Sequence, residues 1–176
     1  FPKTLIVDLS QLYGGSTSRV LSIMSSVPPG TLALAVLESS ALHKEAQQRN
    51  LPVHVIGKSK TNPRLLFNLI RLIRQEKFQV LDTQNIQSKF WASLAARWTN
   101  TALVSTIHSW YASEHGKSSR KGKIYTALEL ATNRRSKQYI TVSARDRQSL
   151  LQSGIPDREI ELIYNAVDVN PDSIAG

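Results

Sequence analysis

Short, continuous apolar runs alternate with more polar segments along almost the whole chain. The first run, TLIVDLS, lacks the strict alternation of a half-exposed strand, so it predicts a strand that is buried on both faces. Runs of the same kind predict strands over residues 4–10, 31–38, 52–57, 79–84, 101–108, 138–143 and 159–164.

The segments between these runs repeat apolar positions at helical spacing. In residues 62–77 the Leu and Ile side chains fall on one broad face of a helix. The next helical segment predicts its buried side from apolar residues four apart, which are Ile86, Phe90, Leu94 and Trp98. The full pattern predicts helices over residues 18–27, 40–50, 62–77, 86–98, 122–134 and 144–154, with a polar loop over 112–121.

Buried strands separated by helices are typical of a parallel sheet with helices on both faces. The expected fold class is therefore α/β, a Rossmann-like parallel sheet sandwiched by helices, with right-handed crossovers. A length of 176 residues is enough for one domain with a real core. In such sheets ligands bind at the carboxyl ends of the strands, which selects the loops that follow them.

A glycine pair, Gly14 and Gly15, follows the first predicted strand and precedes a helix whose free amides would attract an anion. Glycines permit close approach of a ligand and a positive φ, but this stretch is neither a dinucleotide fingerprint nor a Walker loop. Ser16, Thr17 or Ser18 is a candidate N-cap. An ordinary turn and a phosphate contact are equally good interpretations.

Polar residues follow three further strands. His108 ends the fifth strand, where an imidazole either contacts a substrate, relays a proton or serves a structural role. Asp82 and Gln84 flank Thr83 at strand spacing and so share one face, as pocket residues or as strand-end caps. The remaining polar residues at these strand ends are Asn85, Ser109, Ser143 and Arg145.

The chain has a net charge of +9, from 22 Lys and Arg against 13 Asp and Glu, and it contains no Cys. The lack of Cys excludes disulfides, thiolate metal sites and a cysteine nucleophile, and the His spacing suggests no metal site. The charge favours a nucleic acid, an anionic membrane surface or a phosphorylated ligand as partner, or else a basic surface without one. Basic residues cluster at Lys117, Arg120, Lys121 and Lys123, and at Arg134, Arg135 and Lys137.

One aromatic residue, Phe67, lies on the polar face of predicted helix 62–77, near Arg71 and Arg74. An aromatic beside arginines on an exposed helix suits an anionic membrane interface. It also suits ordinary packing beneath a loop. No apolar stretch approaches the roughly 18 residues that a membrane-spanning helix needs.

Four stretches together resemble a known family. They are GGSTSRVLSIMSSVPPG, with a glycine pair before a helix; RLIRQEKFQVLDTQNIQSKFWASLAARW, with a strand end before a helix; VSTIHSW, with a Thr-x-His strand end; and SKQYITVSARDRQSLLQSGIPDREIELIYNAVD. The last is the most specific, because it joins Val-Ser, a helix, Gly-Ile-Pro and Asn-x-Val-Asp in one order. The chain resembles the N-terminal domain of a GT-B fold glycosyltransferase of the family 4 type (glycosyltransferase group 1).

The chain departs from that family pattern at three places. Thr17-Ser18 stands where a glutamate often follows the glycine pair, and Asp82 and Gln84 replace the usual histidines of the fourth strand end. Asn165 lies in Tyr-Asn-Ala, where Pro-Asn-Gly is common. These departures concern the acceptor pocket rather than the fold.

The resemblance implies transfer of a sugar from a nucleotide-sugar donor to an acceptor hydroxyl on a glycan or lipid-linked molecule, with retention of configuration. It implies no metal and no cofactor, since the nucleotide-sugar is a substrate. By similarity, Gly14, Gly15 and Ser16 lie against the donor diphosphate, and His108 lies near the transferred sugar. The acceptor side is expected at Thr83, Gln84, Asn85 and Ser109, with Ser143 and Arg145 elsewhere in the cleft.

The resemblance also implies a domain organisation. Residues 1–168 are expected to form the acceptor-side domain, and 169–176 to begin an interdomain linker. A C-terminal domain outside these residues would hold most of the nucleotide-sugar, so this part is expected to fold but not to catalyse. The expected location is the cytoplasm, with peripheral association at the inner face of an anionic membrane and no specific nucleic-acid partner.

Two other classes of function remain as alternatives. One is another GT-B enzyme, such as a nucleotide-sugar epimerase or a phosphorylase, although the closing motif argues against it. The other is a basic module that binds nucleic acid or a membrane. Such a module explains the charge of +9 but not the glycine pair, His108 and the closing motif together.

Overall fold

The computed structural model describes residues 1–108, 132 and 135–165. Within them the strands are β1 (Thr4–Asp8), β2 (Leu32–Leu37), β3 (Val53–Gly57), β4 (Val80–Thr83), β5 (Ala102–Ile107), β6 (Gln138–Thr141) and β7 (Ile160–Leu162). The helices are α1 (Gly15–Ser26), α2 (Ala41–Gln48), α3 (Arg64–Glu76), α4 (Ile86–Thr99) and α5 (Ala144–Gln152), with a 3-10 turn at Asp157–Glu159.

The seven strands form one sheet in the order β3-β2-β1-β4-β5-β6-β7, and every neighbouring pair is parallel. The predicted α/β, Rossmann-like parallel sheet between helices is therefore confirmed. The chain leaves β1 towards β3 on one side and resumes at β4 on the other. This reversal opens a crevice at the carboxyl ends of β1 and β4, where ligands bind in sheets of this kind.

Side chains alternate between two apolar layers along each strand. Ile6 of β1 packs in a cluster with Val20 of α1, whereas its neighbour Val7 belongs to the cluster that contains Leu69 of α3 and Ala92 of α4. The sheet therefore has an α1 face and an α3–α4 face. Because strand residues alternate strictly, their position in the register decides which face each side chain at a strand end reaches.

The prediction for helix α3 is confirmed, since Leu65, Leu69 and Ile73 are buried on one side of it. The prediction for the buried side of α4 is wrong at its end, where Trp98 is 65% exposed. The residues of α4 that are buried are instead small or polar ones, which are Ser88, Lys89, Ala92, Ser93 and Ala95. Small side chains let α4 lie close to both the sheet and α3, and the larger residues occupy the flanks of that contact.

Several predicted features lie outside the described residues: the loop over 112–121, the linker start over 169–176, Ser109, and all of helix 122–134 except Thr132. Among the helices that the structure describes, none is long and apolar enough to cross a membrane.

The corrected buried face of α4 leads to a test by substitution. Ala92→Leu inserts bulk into the packed face and is expected to destabilise the chain by about 1–3 kcal/mol. Trp98→Ala removes a largely exposed ring and is expected to change the free energy of unfolding by less than about 0.5 kcal/mol. Urea unfolding of both variants measures the difference, and a larger loss for Trp98→Ala would restore the original prediction.

Candidate active site

The crevice between β1 and β4 is lined by a hydrogen-bonded group of side chains. Asn85 caps α4, because its Oδ1 accepts hydrogen bonds from the Ser88 backbone N–H at 2.9 Å and from Ser88 Oγ at 2.8 Å. Its Nδ2 donates to Asp8 Oδ1 at 2.8 Å and to Ser10 Oγ at 3.2 Å. Asn85, predicted to face the acceptor, thus joins the end of β1 to the start of α4.

The carboxylate of Asp8 is fully buried at the end of β1. Its Oδ1 accepts from Asn85 and from the Ser10 backbone N–H at 2.8 Å, whereas no hydrogen-bond partner for Oδ2 is found within the described part of the chain. Sequence reasoning overlooked Asp8. The signal was a single acidic residue inside the otherwise apolar run TLIVDLS.

Thr83 and Gln84 are neighbours in sequence but reach opposite faces of the sheet. The register pairs Val7 with Thr83 and Ile6 with Asp82, which places Thr83 on the α3–α4 face. Thr83 is buried there, and its Oγ1 lies 3.1 Å from Ser105 Oγ and donates to the Val104 carbonyl at 3.2 Å. The Thr83 hydroxyl is thus hydrogen-bonded inside the sheet. Its predicted contact with the acceptor stays a prediction.

On the α1 face, three polar side chains form a chain that ends at His108. Thr106 Oγ1 donates to Asp82 Oδ1 at 2.8 Å, and Gln84 Nε2 donates to Asp82 Oδ2 at 2.8 Å. His108 Nε2 lies 2.8 Å from Gln84 Oε1. The prediction that Asp82 and Gln84 share one face is confirmed, and the structure adds His108 and Thr106 to them.

The order of donors and acceptors from Asp82 through Gln84 to His108 defines the tautomer of His108. Because Gln84 turns its amide N–H towards the Asp82 carboxylate, its Oε1 is the group that faces His108 and can only accept. A neutral His108 therefore carries its proton on Nε2 and keeps a lone pair on Nδ1. No partner of Nδ1 is found within residues 1–108, 132 and 135–165.

Burial shifts the pKa values of Asp82 and His108, the two titrating groups of this hydrogen-bonded series, in opposite directions. It raises the pKa of Asp82 to about 6 from an ordinary value of 3.8, against the hydrogen bonds from Thr106 and Gln84 and the charge of Arg19. Burial lowers the pKa of His108 to about 4 from an ordinary 6.5; Arg19 lowers it further and Asp146 opposes the shift. At neutral pH, His108 is thus uncharged and Asp82 is mainly a carboxylate.

The glycine pair starts α1 directly. Gly14 is the N-cap and Gly15 the first helical residue, so the prediction of a hydroxyl N-cap is wrong. The prediction of positive φ is also wrong at Gly14, whose φ is −161°. The Gly14 N–H donates to Thr17 Oγ1 at 3.3 Å, which turns the Thr17 hydroxyl back onto the helix start.

Both glycines face open space within the described part of the chain. A Cβ built on Gly14 or Gly15 would meet no atom of the described residues within 4 Å. Helix geometry also leaves the amides of the first turn, including Ser16, without intrahelical acceptors. The start of α1 therefore combines open space with free N–H groups, as an anionic ligand requires.

The site has a further charged residue, Arg19, which sequence reasoning did not select. It lies one helical turn after Gly15, and its charge acts on both Asp82 and His108. Burial lowers the pKa of its guanidinium, against the effect of the Asp82 carboxylate. The signal was its position in the motif GGSTSRV, four residues beyond the glycine pair on the same side of the helix.

Ser143 and Arg145 lie at the carboxyl end of β6 but do not join the chain of Asp82, Gln84 and His108. Ser143 caps α5, where its Oγ accepts from the Asp146 backbone N–H at 3.1 Å and donates to the Asp146 carboxylate. Arg145 is exposed in the first turn of α5. Their assignment to the cleft stays a prediction, and Ser109 lies outside the described residues.

A metal ion would need several clustered ligands. Within the described residues, no group of three or more His, Asp or Glu side chains is arranged to hold one. The expectation that the reaction needs no metal stays a prediction.

The parallel sheet and the polar site at its carboxyl edge define this molecule as one half of a GT-B fold. The chain belongs to Glycosyltransferase Family 4, whose sequence profile matches residues 30–171. The matched range begins after α1, so it does not include the glycine pair. No curated protein matches the chain in sequence.

Solved structures share the fold at low sequence identity. The structure of Anabaena HepE in complex with UDP and glucose has a TM-score of 0.77 and 18% identity, over 99% of this chain and 49% of HepE. The lipopolysaccharide outer core galactosyltransferase WaaB has a TM-score of 0.68 and 11% identity, over 96% of this chain and 46% of WaaB. UDP-GlcNAc 2-epimerase from Methanocaldococcus jannaschii has a TM-score of 0.60 and 13% identity, over 92% of this chain and 45% of the epimerase. The chain spans about half the length of each of these proteins.

The opposed shifts of Asp82 and His108 predict opposite pH dependences of stability. The folded chain binds the Asp82 proton more tightly than the unfolded chain, so this contribution to stability falls as pH rises from about 4 to about 6. The folded chain binds the His108 proton less tightly than the unfolded chain does. The contribution of His108 to stability therefore rises as pH rises from about 4 to about 6.5. Urea midpoints are expected to fall with pH in His108→Gln and to rise in Asp82→Asn.

The wild-type chain is the control for this pair of variants, and its profile is expected to lie between theirs, because the two contributions oppose each other. Parallel profiles for the two variants over pH 4 to 6.5 would contradict the shifts assigned to Asp82 and His108.

Proposed function

We propose that this chain is the acceptor-side half of a retaining glycosyltransferase that moves a sugar from a nucleotide-sugar donor to a hydroxyl of a glycan or lipid-linked acceptor. The observation that carries the proposal is the neutral, oriented His108 at the carboxyl edge of the sheet, the same edge at which α1 begins. Membership of Glycosyltransferase Family 4 supports it. The UDP and glucose in the HepE structure support a nucleotide-sugar donor.

The donor would lie with its diphosphate against Gly14, Gly15 and Ser16. The absence of side chains at the two glycines leaves room for phosphate oxygens, and the first-turn amides supply hydrogen bonds to them. The chain spans about half of its structural neighbours, so we assign the main contacts with the nucleotide to a C-terminal half. Neither a metal nor a cofactor is part of the proposal.

The charge state of His108 suits glycosyl transfer. Positive charge builds up on the sugar in the oxocarbenium-like transition state of such reactions. A protonated imidazole beside that sugar would oppose the charge, whereas a neutral one accepts a hydrogen bond from a sugar hydroxyl through Nδ1. The carboxylates of Asp82 and Asp146 lie close enough to influence the site and would favour the developing positive charge.

The proposed activity is tested with the protein that contains this chain together with the proposed C-terminal half. Release of nucleotide from a panel of nucleotide-sugars is expected to depend on an added acceptor. His108→Ala is expected to reduce kcat roughly a hundredfold, as the loss of one oriented polar group in an active site does. His54→Ala, on edge strand β3, is the matched control and is expected to retain activity.

Three outcomes would contradict the proposal. The first is a sugar product with inverted anomeric configuration, and the second is equal rates for the wild type and His108→Ala. The third is epimerisation of the nucleotide-sugar without an acceptor, which the likeness to UDP-GlcNAc 2-epimerase makes the main alternative activity.

We further propose that the carboxyl-edge half of α3 contacts an anionic membrane at the inner face, which would bring a lipid-linked acceptor to the cleft. Phe67 is 70% exposed there. Because α3 follows the carboxyl end of β3, its first turns lie near the same edge as His108. Lys60, Arg64 and Arg71 are exposed around Phe67 and form no ion pair with any described residue.

Co-sedimentation with lipid vesicles tests this contact. The chain is expected to sediment with phosphatidylglycerol vesicles and not with phosphatidylcholine vesicles, and Phe67→Ser is expected to lower the bound fraction severalfold. Trp98→Ser is the control, since this exposed ring lies at the end of α4, near the amino edge of the sheet. Equal sedimentation with neutral and anionic vesicles, or equal effects of the two variants, would contradict the proposal.

A further inference from the structure

Arg19 joins two parts of the molecule that are distant in sequence. Its Nη1 donates to the carbonyl oxygen of Ile163 at 3.2 Å and to Oδ1 of Asn165 at 2.8 Å, residues 144 and 146 positions further along the chain. Both acceptors lie within three residues after the end of β7. We call residues 163–165 the exit segment, since the chain leaves the sheet through them.

The exit segment is held at two places. At its start, the Ile163 N–H donates to the Thr141 carbonyl at 2.9 Å and so continues the pairing of β6 with β7. Two residues later, the Asn165 side chain accepts from Arg19. The hydrogen bonds from Arg19 therefore join the exit segment to α1.

The position of this guanidinium matters for the site. Arg19 forms no ion pair with a carboxylate among the described residues, although its charge acts on Asp82 and on His108. Both hydrogens of its Nη1 are used by the exit segment. The exit segment, and not a carboxylate, therefore supplies the two acceptors of Nη1.

We propose that Arg19 is a positioning residue that fastens the exit segment to α1 and thereby fixes its own charge beside the Asp82–Gln84–His108 chain. If the proposed function holds, the exit segment leads towards the C-terminal half, and movement of that half is coupled to the charge environment of His108. The contacts of Arg19 themselves do not depend on that function. A lysine is not an equivalent replacement, because the planar guanidinium fixes the directions of the two Nη1 hydrogens, whereas an ammonium stands on a shorter, flexible stem.

Amide hydrogen exchange in the 176-residue chain tests the fastening. Arg19→Lys and Asn165→Ala are each expected to speed exchange of the Ile163 amide roughly tenfold, as expected when a hydrogen bond to a charged group is lost. The Leu34 amide, which donates to the Pro52 carbonyl in the core of the sheet, is the internal reference and is expected to be unchanged. Arg145→Gln, an exposed arginine at the same edge, is the matched control.

The pKa of His108, followed by NMR in Arg19→Gln and Asn165→Ala, distinguishes the effect of the position of the Arg19 charge from the effect of its presence. Arg19→Gln removes the charge and is expected to raise the His108 pKa, whereas Asn165→Ala keeps the charge and is expected to raise it less. Unchanged Ile163 exchange in Arg19→Lys and Asn165→Ala would overturn the proposal. Equal acceleration at Leu34 would also overturn it, because it would show general destabilisation. Neither readout requires sugar transfer, so failure of the proposed activity is distinguishable.

Discussion

A carboxylate buried in a sheet needs hydrogen-bond donors, and the donors of Asp82 determine how the site is arranged. Thr106 donates from the neighbouring strand, and Gln84 donates from just beyond the end of the strand that carries Asp82. Once the amide N–H of Gln84 is committed to Asp82, its carbonyl oxygen faces His108 and sets the tautomer of that ring. A single buried charge thus orients a side chain that it does not touch.

The two faces of the sheet divide structural and chemical roles between them. On the α3–α4 face, the hydroxyls of Thr83 and Ser105 form a hydrogen bond with each other inside the packed layer. On the α1 face, Asp82 and His108 lie at the carboxyl edge of the sheet, where α1 also begins. The chain has the fold of its family, and within that fold the side-chain amide of Gln84 is the hydrogen-bond partner of His108.

The strands, their parallel arrangement and the edge that carries the site could be predicted because buried parallel strands are continuous apolar runs and share one carboxyl edge. Strand alternation also predicted that Asp82 and Gln84 share a face. The exposure of Trp98 could not be predicted, because periodicity does not show how closely a helix approaches its sheet. Nor could the contact from Arg19 to Asn165, since it joins residues 146 positions apart.

The central claim is that the carboxyl edge, and not another surface, binds the nucleotide-sugar. The most direct measurement is an NMR titration of the chain with UDP-glucose. The account predicts amide or ring perturbations at Gly15, Ser16 and His108. A cleft of about 210 Å³ near the amino edge, lined in part by the basic residues Arg97, Arg135 and Lys137, is the natural competitor for an anionic ligand. Perturbations confined to that cleft would contradict the claim.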